Sequence, residues 1–137
     1  MKIDQDYLKS LLEAFEASPN PVTDIRELGE RGFDHEDKRF VFHMDLLHDQ
    51  QLIARDDGRP GFGCVRGAGD SLGWSVVSLR LTADGHEFLE AIRNKEIWGV
   101  IKTSFKEASI GTMWRVAKEL GESYAKKKLQ GLLEDGA

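Results

Sequence analysis

The chain has 137 residues, 40% of them hydrophobic and 31% charged, with a formal net charge of −5. That suits one folded domain, with room for an appendage, and opposes nonspecific adhesion to DNA or acidic membranes through overall charge. A lone Cys64 excludes a disulfide framework and a cysteine-based zinc site.

In chain order, "MKIDQDYLKSLLEAF" has acids in its first turn and no long apolar core, so it is not expected to act as a signal peptide. No run approaches the ~18 apolar residues of a membrane span. No membrane association and a cytoplasmic location are therefore expected. Residues 4–17 predict a first helix with an apolar stripe of Leu8, Leu11, Leu12 and Phe15, its start favoured by Asp4 and Asp6. "SPNPV" ends it. "VTDIRELGERGF" reads equally as a short strand or a poor helix. Asp34 is the expected cap of a helix over about 35–50, with Asp37 in its first turn. "QLIARDD" reads as a strand. Gly58 to Gly73 holds six glycines and is expected to be the tip of a long β-hairpin returning through "WSVVSLRLT". Thr82 should cap the next helix, and Gly85 should let its first turn lie close against a neighbour. Apolar residues Ile97, Trp98, Ile101 and Phe105 mark another helix. After Ser109, a final helix of up to about 25 residues carries Ile110, Met113, Trp114, Ala117, Leu120, Tyr124 and Leu129.

Helix, helix and hairpin in this order predict an α+β, mainly α chain: a winged helix-turn-helix over residues 1–94 with a glycine-rich wing, and a C-terminal helical extension over 95–137. Two blocks of residues resemble a known family. "LRLTADGHEFLEAIRN", followed by "IWGVIK", and "FHMDLLHDQQLI" are similar to the marks of a bacterial and phage family of winged-helix-like proteins, domain of unknown function 2513. Phe42, His43, Leu46, Leu47, Leu52 and Ile53 fall on its pattern, as do Leu81, Thr82, Gly85, His86, Glu87, Phe88, Leu89, Ile92 and Arg93. Gln51 departs from it, standing where the family often has glycine, so the helix end is expected to lack its usual left-handed residue. The resemblance implies the fold and a bacterial or phage origin, and carries no biochemical activity with it.

Helical spacing places Phe40, His43, Met44 and Leu47 on a core face of the second clear helix. Lys38, Val41, Phe42, Asp45 and Asp49 face away, with His35 at the edge and Arg39 on a flank. His35, Lys38 and Arg39, together with Arg55, Arg59 and Arg66 on the hairpin, form the candidate nucleic-acid surface for double-stranded DNA. Val41, Phe42, Asp45 and Asp49 form the alternative, a surface for a host or partner protein. The acids complicate the first reading: residues 1–54 carry 6 Lys and Arg against 12 Asp and Glu.

Other chemistry finds little support. The glycine tip has the wrong spacing for a dinucleotide loop and lacks the Lys-Ser or Lys-Thr pair of a P-loop. His86-Glu87 is followed by Glu90 where a zinc protease needs its second histidine. His43 is expected to be a packed histidine satisfied by backbone. Cys64 has no clear base partner. Lys126, Lys127 and Lys128 fan around a helix end. No enzyme activity, cofactor or metal is expected. The expected function is a DNA-binding transcriptional regulator, or alternatively a protein-interaction module on the same scaffold. The C-terminal stripes predict a homodimer held through Trp98, Ile101, Met113, Trp114, Ala117, Leu120 and Tyr124, or else closure of a monomeric core.

Overall fold

A computed structural model describes residues 1–136. The chain is α+β and mainly helical, with the order α1 (Gln5–Glu16), α2 (Ile25–Glu30), α3 (Lys38–Asp49), β1 (Ile53–Arg55), β2 (Cys64–Arg66), β3 (Leu72–Trp74), β4 (Leu79–Leu81), α4 (Ala83–Arg93), α5 (Lys95–Ser104) and α6 (Ile110–Asp135). It divides into two compact units, Met1–His86 and the residues from Glu87 onward. The division falls within α4.

In the first unit, each helix begins where a side-chain oxygen replaces a missing backbone acceptor. Asp4 accepts from Tyr7 N–H, Asp24 from Arg26 and Glu27 N–H, and Asp37 from Arg39 N–H. Asp37 rather than Asp34 therefore caps α3. Asp34 instead closes the preceding turn by accepting from Glu36 N–H at 2.9 Å, which leaves His35 outside the helix. The ambiguous segment resolves as both alternatives in succession: Thr23 bridges Leu79, and α2 follows at once.

The core face of α3 forms as its spacing requires, with Phe40, His43, Met44 and Leu47 all fully buried. Val41, expected to face away, is only 9% exposed. It lies on the border of the core, so it is not a free contact residue.

The end of α3 corrects another expectation. Gln51 takes φ +57°, the left-handed conformation, without being glycine. Gln51 N–H donates to His48 O and Leu52 N–H to Leu47 O, both at 2.9 Å. These are the paired bonds of a Schellman motif, with buried Leu47 and Leu52 as its apolar contact. A side chain in this conformation is strained, so Gln51→Gly should stabilise the fold by about 0.5–1 kcal/mol. A urea midpoint that fails to rise in this variant would count against the motif.

The hairpin is nested. β1 pairs antiparallel with β4 in the register Ile53↔Leu81 and Arg55↔Leu79, and β2 pairs with β3 as Cys64↔Trp74 and Arg66↔Leu72. Thr23 adds to the outer edge of β4, with Thr23 N–H and Leu79 N–H each donating to the other's carbonyl at 2.7 and 2.8 Å. The expected continuous strand over 74–82 is broken between Trp74 and Leu79. The arms are unequal: residues 56–63 lie opposite residues 75–78, so one ladder cannot run through both. The surplus is taken up in a turn, where Gly58 N–H donates to Arg55 O. Gly63, at φ +94°, then passes against Ser75, whose carbonyl would lie 2.3 Å from any added Cβ.

The opening corner of α4 matches its sequence. Thr82 Oγ1 accepts from Gly85 N–H at 3.0 Å and donates to Gln51 O at 2.7 Å. Thr82 N–H donates to Leu52 O at 3.0 Å. A Cβ on Gly85 would stand 2.1 Å from that same oxygen.

In the second unit, Asn94 caps α5 by accepting from Glu96 and Ile97 N–H, and Ser109 caps α6 by accepting from Thr112 N–H. Trp114 packs its ring on Phe88 at 5.6 Å. Ile97, Ile101, Ile110, Met113 and Ala117 are buried. Ile101 and Met113 are therefore covered within one chain, and the expectation that they form a dimer surface is corrected. The inner half of the α6 stripe belongs to the core.

Candidate docking groove

The exposed side of α3 and the β2–β3 hairpin enclose a groove of about 450 Å³. From α3 come Lys38, Val41, Phe42 and Asp45; from the hairpin come Arg66, Asp70 and Leu72 among its glycines. Leu72 is 40% exposed and Phe42 half-buried. With Met1 at the start of the chain, four apolar side chains therefore line a groove whose rim is charged.

The hairpin is held to α3 by two ties. Arg66 forms an ion pair with Asp45 across the groove. At the hairpin's root, Gly61 N–H donates to His48 Nε2 at 2.9 Å. Beneath the hairpin, Trp74 meets Phe40, Phe62 and His35 at ring separations of 5.5–6.0 Å. His35 is thus a packing residue against Trp74 as well as a candidate contact.

The other candidate bases are distributed differently from the expected patch. Arg39 turns toward α1: its guanidinium bonds Asp37 at 3.0 and 3.3 Å and lies 4.9 Å over the Tyr7 ring. The hydrogen bonds from Arg39 hold the Asp37 carboxyl below its ordinary range. Arg55 is bonded by Asp57 through its Nε at 3.0 Å, which likewise lowers the Asp57 carboxyl. Arg59 is exposed beside the same Asp57, which accepts its backbone N–H. Of the six bases, Lys38 and Arg66 alone line the groove, together with Val41, Phe42 and Asp45 of the alternative surface. Asp49 is exposed outside the lining. Asp70 and Leu72 were not singled out by sequence reasoning. The signal for Leu72 was present, as a leucine among glycines with no strand period to bury it.

Behind α3, His43 is fully buried. Its Nδ1 donates to Arg39 O at 2.7 Å and its Nε2 accepts from Asp4 N–H at 3.0 Å. Burial lowers its pKa. Tyr7 packs on His43 and Phe33, and its buried hydroxyl lacks a hydrogen-bond partner. Burial pushes that phenol up to about 12. Both groups support the seat of α3. Among the described residues, no group of three or more His, Cys, Asp or Glu side chains is placed to hold a metal ion, and no helix is long and apolar enough to cross a membrane. Burial raises the Cys64 thiol pKa, the opposite of what a nucleophile needs.

Residues 2–111 match the model of the family described as "Hypothetical protein (DUF2513)". The chain belongs to this family. An uncharacterized protein of Haemophilus influenzae is 28% identical over 130 residues, covering 94% of this chain and 99% of that one. No solved structure matches the chain. The DUF2513 span takes in the groove's α3 and hairpin walls and the corner at Thr82, and ends in the first turn of α6.

Proposed function

We propose that this chain is a non-enzymatic winged-helix binding module, with α3 as its presenting helix and the β2–β3 hairpin as its wing, and that the groove between them docks a protein partner. The element order supports the scaffold, as does the Thr23–β4–β1 arrangement behind α3. The observation that carries the choice of partner is the pairing of the bases. Arg39, Arg55 and Arg66 are each matched to an aspartate, Asp37, Asp57 and Asp45. Between the last of these pairs and Leu72 the groove offers apolar area at Phe42, with Val41 buried behind it.

The field of the whole unit points the same way. Residues 1–86 hold 10 Lys and Arg against 16 Asp and Glu, a net of −6 that repels a phosphate backbone. A partner segment that presents an apolar side chain flanked by Lys or Arg complements both the groove and its surroundings. DNA binding is the second reading. It is favoured by Lys38, which begins α3 with no ion-pair partner among the described residues. Exposed Arg–Asp pairs are also weak enough, at about 0–1 kcal/mol, for phosphates to displace.

Selection from a displayed random-peptide library tests the first reading. Enriched peptides should carry apolar anchors flanked by bases, and Phe42→Asp or Leu72→Asp should abolish their binding. Enrichment that survives both substitutions would remove the groove from the function. For the second reading, a gel-shift series against a random duplex pool should show retention that weakens broadly when Arg55, Arg59 and Arg66 become alanine. No retention at about 50 mM salt would end it.

A further inference from the structure

The second unit contains a feature independent of the docking groove. Helices α4, α5 and α6 border an apolar groove of about 350 Å³, floored by Ala91, Ile97, Ala117 and Gly121 and rimmed by Glu87, Glu90 and Glu122, with Lys118 beside them. Small side chains form the floor where α4 and α6 approach closely: a Cβ on Gly121 would meet the Ala91 Cβ at 3.6 Å. Further along the same helix, Leu129, Leu132 and Leu133 are 55%, 60% and 66% exposed. Lys126, Lys127 and Lys128 immediately precede them. One helix thus carries an apolar groove with glutamates on its rim in its middle and, two turns on, exposed leucines with Lys128 beside them.

We propose that a second copy of this chain covers that groove, with the two α6 helices antiparallel about a two-fold axis at Ala125. Lys118, Glu122, Ala125, Leu129 and Leu132 follow the 4-3-4-3 spacing of one helical stripe. In the antiparallel register centred on Ala125, Leu129 of the second copy lies opposite Gly121, where the groove is open. Leu132 of the second copy lies along the stem of Lys118, and Lys128 of the second copy meets Glu122. The two-fold repeats every one of these contacts. The charge pattern favours a second copy because the bases and the acids complement each other only when the helices run in opposite directions. In a parallel pair, Glu122 would face Glu122 and the lysines would face one another. This interface differs from a dimer built on Ile101 and Met113, which are buried and outside the groove, and meets the expected stripe at Ala117 and Tyr124, which line it.

Light scattering coupled to size exclusion at tens of micromolar tests the proposal. The wild-type chain should elute at twice its 15.4 kDa mass. Leu129→Glu with Leu132→Glu should return it to one mass with an unchanged helical circular dichroism signal, since both side chains are exposed in the single chain. Glu122→Lys alone and Lys128→Glu alone should each weaken dimerisation about tenfold or more, and the two together should restore it. In a Cys64→Ala background, Ala125→Cys should oxidise to a covalent dimer, because only a residue near the axis brings its copies within disulfide reach. A wild-type chain of single mass overturns the proposal. So does a dimer indifferent to the leucine substitutions, or one in which the charge swap fails to rescue.

Discussion

Gly85→Val should lower the thermal midpoint by more than about 10 °C, or prevent folding altogether. The cause is a single atom with nowhere to go. The added Cβ would stand 2.1 Å from Leu52 O. That carbonyl accepts from Thr82 N–H at 3.0 Å, and Leu52 is fully buried beside Ile53, which pairs with Leu81. Moving the oxygen breaks the first rungs of the β1–β4 ladder; moving the helix breaks its cap. Overpacking ordinarily costs about 1–3 kcal/mol, and a clash with fixed backbone exceeds that range. Against a total stability of about 5–15 kcal/mol, the loss is large. Thr82→Ala gives the graded comparison. It removes the cap on Gly85 N–H and the bond to Gln51 O without steric conflict, for about 1–2 kcal/mol. Equal midpoints for Gly85→Val and wild type in a heat-denaturation series would contradict this packing.

Acidification should destabilise the chain between pH 7 and 5, and His43 is the reason. Its two ring nitrogens face two backbone groups of opposite kind: Arg39 O accepts and Asp4 N–H donates. The neutral ring with its proton on Nδ1 satisfies both. A second proton on Nε2 would face Asp4 N–H head-on. Asp4 and Asp37 favour that proton, but burial outweighs them and lowers the pKa. The unfolded chain takes up the proton near pH 6.5, before the folded chain does. The stabilisation is therefore fully present above that pH. It is lost as pH falls toward the folded pKa, at up to about 1.4 kcal/mol per pH unit. Asp24, Asp37 and Asp57 have lowered values and act in a separate, more acidic window. Urea midpoints at pH 7.5, 6.5 and 5.5 provide the measurement. His43→Gln should start lower and show a flatter slope over that range; an unchanged slope would mean the histidine does not carry it.

Both results concern residues whose roles are legible in the sequence. Thr82 and Gly85 were visible because a strand period gives way to a helical one between them, and that junction needs a cap and a small residue. The core face of α3 was visible through spacing alone. Three features were hidden, each because a local signal had a non-local competitor. Asp34 and Asp37 are both acceptable caps, and the choice depends on where the chain leaves α2. Val41 points away from the helix's main apolar stripe, and what covers it is not encoded in helical period. The break between Trp74 and Leu79 follows from unequal arms, and the count of residues in each arm appears only once both ladders are in register. The docking groove was half legible for the same reason. Its helical wall follows from spacing, whereas Asp70 and Leu72 reach it through the nested hairpin.

The Thr23–Leu79 bridge bears on the order in which the molecule assembles. It joins segments separated by most of the first unit, and β4 can accept Thr23 on one side and β1 on the other only after the entire hairpin has returned. Closing such a distant pair costs chain entropy before it yields any contact. The outer sheet should therefore form late and all at once, after α1 and α3 have found each other. Native-state exchange in heavy water would show it. The amides of Thr23 and Leu79, each donating into the other strand, should exchange only with global unfolding. Those of Val76 and Val77, in the gap between the two ladders, should exchange almost as fast as in a free peptide.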